Sequence, residues 1–210
     1  MNFFTVGLDL GKQRDYSALI VLENPAEERL HHIRFLHRWA LGTNYQTIIE
    51  DLLTQIIPNL QKQAKGEWIH LCVDATGVGA APVETLAQEF LQCRQNESLN
   101  EVDLFAYTIT GGQTEHSEGA YGMTKRFIPK LDLAAQVEVA LQNKQLNIPL
   151  QSPLAETLIT ELQNFHLKQT PAGNITAAAW RESDHDDLVL ALAIALHEAR
   201  QRWRVQGYLL

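Results

Sequence analysis

The N-terminal part of the chain alternates between apolar runs and short polar turns. Residues 3–10 are apolar on both faces except at their ends, residues 17–22 form a second apolar run, and residues 30–39 alternate between apolar and polar side chains. Runs of this length, bounded by polar turns, are typical of β-strands. Because short turns join neighbouring antiparallel strands, the pattern predicts an antiparallel meander of three strands.

The apolar pattern then changes to helical spacing. Isoleucine and leucine recur at intervals of three and four within residues 44–57, and the Asn44 side chain can cap the first turn of a helix. We predict a helix over this segment that ends near Pro58. The alternative is an amphipathic pattern that resumes beyond the proline toward Lys65.

A strand, a glycine-containing loop and a helix follow in that order. Residues 68–73 are apolar enough for a short buried strand, residues 74–80 contain two glycines, and the segment beyond them has helical apolar spacing. This order is the βα unit of an α/β sheet. A further strand is predicted over residues 102–109, followed by a polar loop to about Glu118.

The C-terminal half of the chain is predicted to be mainly helical. Helices are expected over residues 130–142 and 153–165, a late hairpin over residues 165–169 and 174–180, and a last helix over about residues 184–203. This order of elements implies a mixed central β-sheet with helices on both faces. The sequence therefore predicts a fold of the α/β class.

Acidic residues stand at the ends of three apolar segments. Asp9 ends the first predicted strand, Asp74 ends the strand before the glycine loop, and Asp186 with Asp187 opens the apolar run of residues 188–196. A carboxylate that faces inward from an apolar element is costly unless a positive charge meets it. We therefore expect a divalent-cation site if these acids converge.

Each acid taken alone also has a purely structural interpretation. Asp9 can cap its own turn, Asp74 can belong to a tight βα turn, and the helix dipole favours acids in a first turn. Two acids in tandem before a buried helix are harder to explain by the dipole. Since Asp187 shares a helix face with Ala191, we favour Asp187 as the inward ligand and Asp186 as a second ligand or outer-shell support.

Carboxylates suit the chemistry of magnesium and manganese. Mg²⁺ and Mn²⁺ prefer hard oxygen ligands and keep several of their waters. Two such ions about 4 Å apart can activate a water molecule and stabilise the leaving oxygen of a phosphodiester. The acids therefore predict a metal-dependent nuclease that binds two ions, Mg²⁺ or Mn²⁺.

Other polar side chains near these acids have two interpretations each. His185 is either a general base or metal ligand, or a capping or solvent-exposed histidine. Basic residues that flank the predicted loops are either phosphate contacts or solvated surface charges. These candidate phosphate contacts are Lys12, Arg14, Lys125, Arg126 and Lys130.

Composition favours one domain over residues 1–210, because 210 residues of which 45% are apolar can bury one sizeable core. No apolar stretch is long enough to cross a bilayer, and the N-terminus lacks the basic start and cleavage site of a secretory signal. Cys72 and Cys93 have no disulfide or metal-binding spacing, so we expect free thiols. These features predict a cytoplasmic protein without a membrane partner.

The net charge of −8 counts against a large non-specific DNA surface. Such surfaces are usually basic, because phosphate contacts supply most of the non-specific affinity. We therefore expect the isolated chain to bind DNA weakly, or to depend on a partner that delivers the substrate.

The order of these motifs resembles the nuclease domain of phage terminase large subunits, which are DNA-packaging motors with a ribonuclease H-like fold. The resemblance covers most of the chain, and the final acidic helix is its most specific part. The segments that carry it are residues 6–9 with 15–18, 73–79, 108–112 with 129–133, and 185–193.

The resemblance implies a function as well as a fold. It implies that Asp9, Asp74 and Asp187, or Asp186 in place of Asp187, are the metal-binding catalytic acids of a DNA endonuclease in viral DNA packaging. The implied partners are DNA and a separate ATPase motor, small terminase subunit or portal, in a bacterial host or a prophage-derived setting. The sequence contains no GxxxxGK[ST] phosphate loop, so we expect no ATPase domain in this chain.

Alternative functional classes remain open from the sequence. A Holliday-junction resolvase has a related fold and acid set, and would prefer four-way junctions over linear duplex DNA. A non-catalytic assembly or DNA-docking module would keep the fold and bind neither metal ion. Residues 7–11 also resemble the first phosphate motif of actin-like ATPases and sugar kinases, but those proteins need two such domains and 210 residues are too few.

Overall fold

An eight-stranded mixed sheet with helices on both faces forms the centre of the molecule. The computed structural model describes residues 2–11, 15–120, 122–165, 168–169, 175–176, 186–205 and 207. The strands are β1 (Phe3–Asp9), β2 (Ala18–Asn24), β3 (His31–Arg38), β4 (Trp68–Asp74), β5 (Val102–Thr110), β6 (His116–Ala120), β7 (Met123–Pro129), β8 (Leu146–Asn147), β9 (Lys168–Gln169) and β10 (Ile175–Thr176). The helices are α1 (Tyr45–Asp51), α2 (Ile57–Ala64), α3 (Ala80–Gln95), α4 (Lys130–Gln142), α5 (Ala155–Asn164) and α6 (Asp187–Val205).

The strand order across the sheet is β6-β7-β5-β4-β1-β2-β3-β8. Strands β1, β4, β5 and β7 run parallel to one another. Strand β2 is antiparallel to both β1 and β3, which confirms the predicted meander and the mixed α/β sheet. Because β1 lies between β4 and β2, its C-terminal end stands where the parallel and antiparallel parts of the sheet meet.

Two hydrophobic cores cover the two faces of the sheet. One packs α1, α2 and α3 against a face that includes Val6, Leu71 and Leu104. The other packs α4, α5 and α6 against the opposite face, which includes Ile20 and Cys72. Strands β1 and β4 are buried on both faces, so they appear in the sequence as continuous apolar runs rather than alternating ones.

Helix α6 lies unusually close to β1 because the facing side chains are small. A Cβ atom placed on Gly7 would stand 1.9 Å from the backbone oxygen of Ala191 and 3.1 Å from the Cβ of Ala195. No side chain other than hydrogen fits at position 7 with the helix in this place. The small residues of the final apolar run therefore allow α6 to lie directly on the sheet.

The helical segment after the meander does not end at Pro58. A π-helical turn, Leu52–Ile56, joins α1 to α2, and the helix continues to Ala64. Pro58 stands in the first turn of α2, where the wider π turn avoids the clash that a proline causes inside a regular α-helix. The predicted end near Pro58 is wrong, and the alternative extension toward Lys65 is correct.

The apolar pattern of the sequence does not predict two short strands of the sheet, β6 and β8. The predicted polar loop to about Glu118 contains β6, which pairs with β7 as an antiparallel hairpin. Strand β8 adds a short parallel pairing to β3.

The late hairpin is described only at β9 and β10, which pair with each other. The rest of that predicted hairpin and the predicted helix start at residues 184–185 lie outside the described residues.

The two cysteines are free thiols, as expected, with Cys72 buried and Cys93 half-buried. Among the residues that the structure describes, no helix combines the length and the apolar character needed to span a bilayer. The apolar surface of α6 packs instead against the sheet and α4.

A buried histidine connects β3 to the C-terminal end of α6. The Nδ1–H of His31 donates to Oδ1 of Asn24 at 2.7 Å, and its ring stacks on Trp203 with centroids 4.5 Å apart. Burial is the main cause that lowers the pKa of His31 to about 3, and the charge of Arg200 adds to it. The folded protein therefore holds His31 neutral, whereas the unfolded chain protonates it below the ordinary histidine pKa of 6.5.

This histidine predicts an acid-sensitive fold. Between pH 6.5 and about 3, His31 binds a proton in the unfolded state but not in the native state. The stability from neutral His31 is therefore complete above pH 6.5 and falls by about 1.4 kcal/mol per pH unit below it. We expect His31→Gln to flatten the dependence of denaturant-unfolding free energy on pH. The matched control is His32→Gln, at the half-buried next residue, and equal pH slopes in wild type and His31→Gln would contradict the prediction.

Candidate active site

Asp9 and Asp74 are brought together by two neighbouring parallel strands. Leu8 of β1 pairs in register with Val73 of β4, and each aspartate follows directly and ends its strand. Because side chains alternate along a strand, Asp9 lies on the same face as Gly7, toward α6. By the same alternation Asp74 lies on the α6 face, and both carboxylates are largely buried there.

The first residue of α6 reaches the same edge of the sheet. Ala191 of α6 packs on Gly7 of β1, and the two elements run in opposite directions, since Ala199 packs with Phe3. Asp187 precedes Ala191 by one helical turn, a rise of roughly 6 Å. Two residues of strand lead from Gly7 to the C-terminal end of β1, which is also roughly 6–7 Å. Asp187 therefore lies beside the C-terminal end of β1, and its side chain is buried.

The acids around Asp9, called the acidic cluster, lie close enough for their charges to act on its carboxyl group. Burial is the main cause that raises the pKa of Asp9 well above its usual value. The negative charges of Asp74, Asp187, Asp186 and Asp15 raise the pKa further, in that order. A carboxylate surrounded in this way is stabilised either by a proton or by a cation.

Asp186 stands at the rim of the cluster. Burial is again the main cause that raises its pKa, to about 7, and the charges of Asp187 and Glu161 contribute. Its Oδ2 atom is buried and has no hydrogen-bond partner among the described residues. Lys130 follows the C-terminal end of β7, and its charge lowers the pKa of Asp186, which places it at the acidic edge.

The loop after β4 holds Asp74 through hydrogen bonds that the sequence motif did not reveal. The backbone N–H of Thr76 donates to Oδ1 of Asp74 at 2.8 Å, and Oγ1 of Thr76 accepts from the N–H of Ile109 at 2.9 Å. The N–H of Ala75 donates to the carbonyl of Tyr107 at 2.7 Å. These bonds fasten the loop to the end of β5 and fix the direction of the Asp74 side chain.

Two other basic residues of the sequence analysis, Lys125 and Arg126, do not lie at this edge. Lys125 pairs in register with Ala106, whose side chain belongs to the core on the opposite face of the sheet. Arg126 donates hydrogen bonds of 2.8 and 3.2 Å to the carboxylate of Glu198. The remaining residues of that set, Lys12 and Arg14, and also His185, lie outside the described residues.

Sequence reasoning missed three side chains around the acids. Arg38 lies 3.3 Å from Oδ2 of Asp187 and also pairs with Glu161. The hydroxyl of Tyr45 donates to the carbonyl of Gly11 at 3.0 Å, and burial together with the charge of Asp9 raises its pKa. A β-bulge shifts the register between β2 and β3, so counting along the predicted meander would not have found Arg38, and Glu161 and Tyr45 carry no local sequence signal.

The donor atoms at this edge fit a divalent cation in chemistry and in charge. All are carboxylate oxygens, which Mg²⁺ and Mn²⁺ prefer, and a buried oxygen of Asp186 has no hydrogen-bond partner among the described residues. Within the described part of the chain, no three His, Cys, Asp or Glu side chains form a ready-made metal cage. The carboxylates repel one another, and the charge of Arg38, 3.3 Å from Oδ2 of Asp187, offsets part of that repulsion.

Comparison with known proteins identifies the family. A profile of the terminase RNaseH-like domain matches residues 6–199. The chain belongs to this family. The terminase resemblance and the RNase H-like fold predicted from the sequence are therefore confirmed. A search of curated proteins finds no match.

Solved structures with the same fold include viral terminase domains. The human cytomegalovirus terminase nuclease domain, Mn-soaked and inhibitor-bound, is 16% identical to this terminase RNaseH-like chain, with a TM-score of 0.61 over 97% of this chain and 87% of that one. A second structure of the cytomegalovirus domain gives 16% identity and a TM-score of 0.60 over 97% and 88%. The fowlpox virus Holliday junction resolvase is 10% identical, with a TM-score of 0.46 over 95% and 99%.

Proposed function

We propose that this member of the terminase RNaseH-like family is a divalent-metal-dependent DNA endonuclease that hydrolyses phosphodiester bonds. The observation that carries the proposal is the convergence of Asp9, Asp74 and Asp187, from three separate elements, on one edge of the sheet. Each carboxylate stands on a rigid element, two on strand ends and one on the first turn of a buried helix. Fixed carboxylates of this kind are what a metal-assisted hydrolase needs.

In this proposal Asp9, Asp74 and Asp187 hold two ions, Mg²⁺ or Mn²⁺, and Asp186 is a further ligand or outer-shell support. The ions, when bound, supply an activated water and neutralise the leaving oxygen. The proposed role of Lys130 is to contact a DNA phosphate, and its electrostatic effect on the pKa of Asp186 supports this role. His185 keeps its proposed role as a base or ligand.

We further propose that DNA reaches the site with the help of another protein. The net charge of −8 makes the isolated chain a weak DNA binder. A separate ATPase motor, small terminase subunit or portal would supply the missing affinity during viral DNA packaging. The cytomegalovirus protein of similar fold is described as a terminase nuclease domain, which supports this setting.

Metal-dependent nicking of supercoiled plasmid DNA tests the proposal. We expect wild type to nick plasmid with Mn²⁺ or Mg²⁺ and to stop when EDTA is added. Asp74→Asn should lower the rate at least about a hundredfold, since several kcal/mol of charge stabilisation depend on the metal site. Asp132→Asn is the matched control, because Asp132 is an exposed acid in the first turn of α4. Full activity of Asp74→Asn would overturn the site assignment.

The same assay separates the other functional classes. Preference for four-way junctions over linear duplex DNA would favour a resolvase. A wild-type chain that nicks no DNA and shows no Mn²⁺ binding by calorimetry at neutral pH would favour a docking module that retains only the fold.

A further inference from the structure

The first turn of α6 is capped by a residue from another helix. The backbone N–H groups of Leu188 and Val189 donate to Oε2 of Glu161 at 3.0 and 3.1 Å. Glu161 lies on α5, and its side chain is only 5% exposed. The first N–H groups of a helix lack partners within it, and the helix dipole favours a negative charge there. Glu161 therefore fastens the start of α6 to α5.

A buried arginine joins this cap to the acidic cluster. The Nη2 atom of Arg38 donates to Oε1 of Glu161 and lies 3.3 Å from Oδ2 of Asp187. The guanidinium also packs over the ring of Tyr16, 4.7 Å from its centroid. One nitrogen therefore connects the capping carboxylate with the carboxylate that faces Asp9.

Strand register explains why Arg38 reaches this edge. Asp9 of β1 pairs with Ala18 of β2, and Ala18 pairs in turn with Arg38 of β3. Residues paired in register present their side chains on the same face of a sheet. Arg38 therefore lies on the α6 face, two strands away from Asp9 and in the same row.

We propose that Arg38 and Glu161, together called the α6 clamp, are positioning residues that fix the Asp187 carboxylate relative to Asp9 and Asp74. This inference rests on the proposed function. Both oxygens of Glu161 are used, one by two backbone N–H groups and the other by Arg38, so Glu161 anchors the helix rather than binding a ligand. An arginine cannot ligate a cation, so Arg38 acts by holding Asp187.

Two possible roles of Arg38, a competing cation or a positioning residue, predict opposite effects of its removal on Mn²⁺ affinity. If Arg38 acted only as a competing cation, its removal would leave the acids more negative and tighten Mn²⁺ binding. If Arg38 positions Asp187, its removal weakens Mn²⁺ binding even though the net negative charge increases. The sign of the change therefore separates the two roles.

The test measures Mn²⁺ affinity by calorimetry and amide hydrogen exchange on the full chain. We expect Arg38→Gln to weaken Mn²⁺ binding by about 10–100-fold. The Mn²⁺ affinity of Arg38→Lys should lie between those of Arg38→Gln and wild type. Glu161→Ala should also speed exchange of the Leu188 and Val189 amides by about tenfold or more. Arg34→Gln, at an exposed position on the same strand, is the matched control and should change neither.

Several outcomes would overturn the positioning role. Tighter or unchanged Mn²⁺ binding in Arg38→Gln would do so, and so would unchanged amide exchange in Glu161→Ala. If Glu161→Ala fails to fold, Glu161→Gln keeps an oxygen for the helix and still breaks the bridge to Arg38. A wild-type chain that binds no Mn²⁺ would overturn the proposed function and this role together, whereas normal Mn²⁺ binding by both folded variants would overturn this role alone.

Discussion

Gly7→Ala is expected to destabilise the protein by about 3 kcal/mol and to lower its melting temperature by roughly 6–12 °C. The added methyl would stand 1.9 Å from the carbonyl oxygen of Ala191 and 2.8 Å from the carbonyl carbon. Both atoms belong to the backbone of a helix, so no side-chain rotation relieves the clash. Either α6 moves away from the sheet or β1 bends. Thermal unfolding followed by circular dichroism measures the effect.

The same change is expected to weaken the acidic site. If α6 shifts from β1, Asp187 moves away from Asp9, and Mn²⁺ affinity should fall along with stability. Gly119→Ala is the matched control, because Gly119 is also in a strand and a Cβ there meets nothing within 4 Å. A Gly7→Ala protein that melts like wild type would show that α6 does not lie against β1 as described.

Asp9→Asn is expected to abolish metal-dependent cleavage and yet to stabilise the metal-free protein. The Asp9 carboxylate is buried, and the charges of Asp74 and Asp187 repel it, which is why its pKa is raised. A neutral amide of the same shape removes that repulsion. We expect the melting temperature in EDTA to rise by roughly 2–4 °C for each kcal/mol of repulsion removed. Nicking with Mn²⁺ should fall at least about a hundredfold.

The opposite signs of these two effects make the Asp9 prediction specific. A purely structural aspartate that caps its own turn would lose stability when changed to asparagine, or keep it unchanged. Added Mn²⁺ should raise the melting temperature of wild type but not of Asp9→Asn. Asp132→Asn serves again as the control, since an exposed acid in a helix first turn should affect neither cleavage nor metal-induced stabilisation. A lower melting temperature of Asp9→Asn in EDTA would contradict the argument.

The sequence predicted the central strands and the acidic edge because both depend on local signals. Asp9 and Asp74 end strands that are buried on both faces, and such runs are recognisable without any knowledge of their neighbours. Parallel pairing of those strands then leaves little freedom in where the two carboxylates meet. The apolar run of residues 188–196 likewise predicted the last helix.

The missed features depend on contacts between distant parts of the chain. Strand β7 has half-buried, charged residues such as Lys125 and Arg126, so its apolar pattern is weak until its partners β5 and β6 are known. Glu161 resembles any acid on an amphipathic helix, and only the packing of α5 on α6 makes it a cap. Pro58 suggested a helix end, and a π-helical turn overrode that signal.

The length of α6 has a consequence for substitutions far from the acids. The helix is 19 residues long, and Asp187 in its first turn is separated by roughly 24 Å from Trp203, which stacks on His31 near its other end. Because α6 is one continuous helix, we expect a displacement at its C-terminal end to move its first turn as well. If the chain is the nuclease that we propose, we expect substitutions around Trp203 to change cleavage even when every carboxylate is kept.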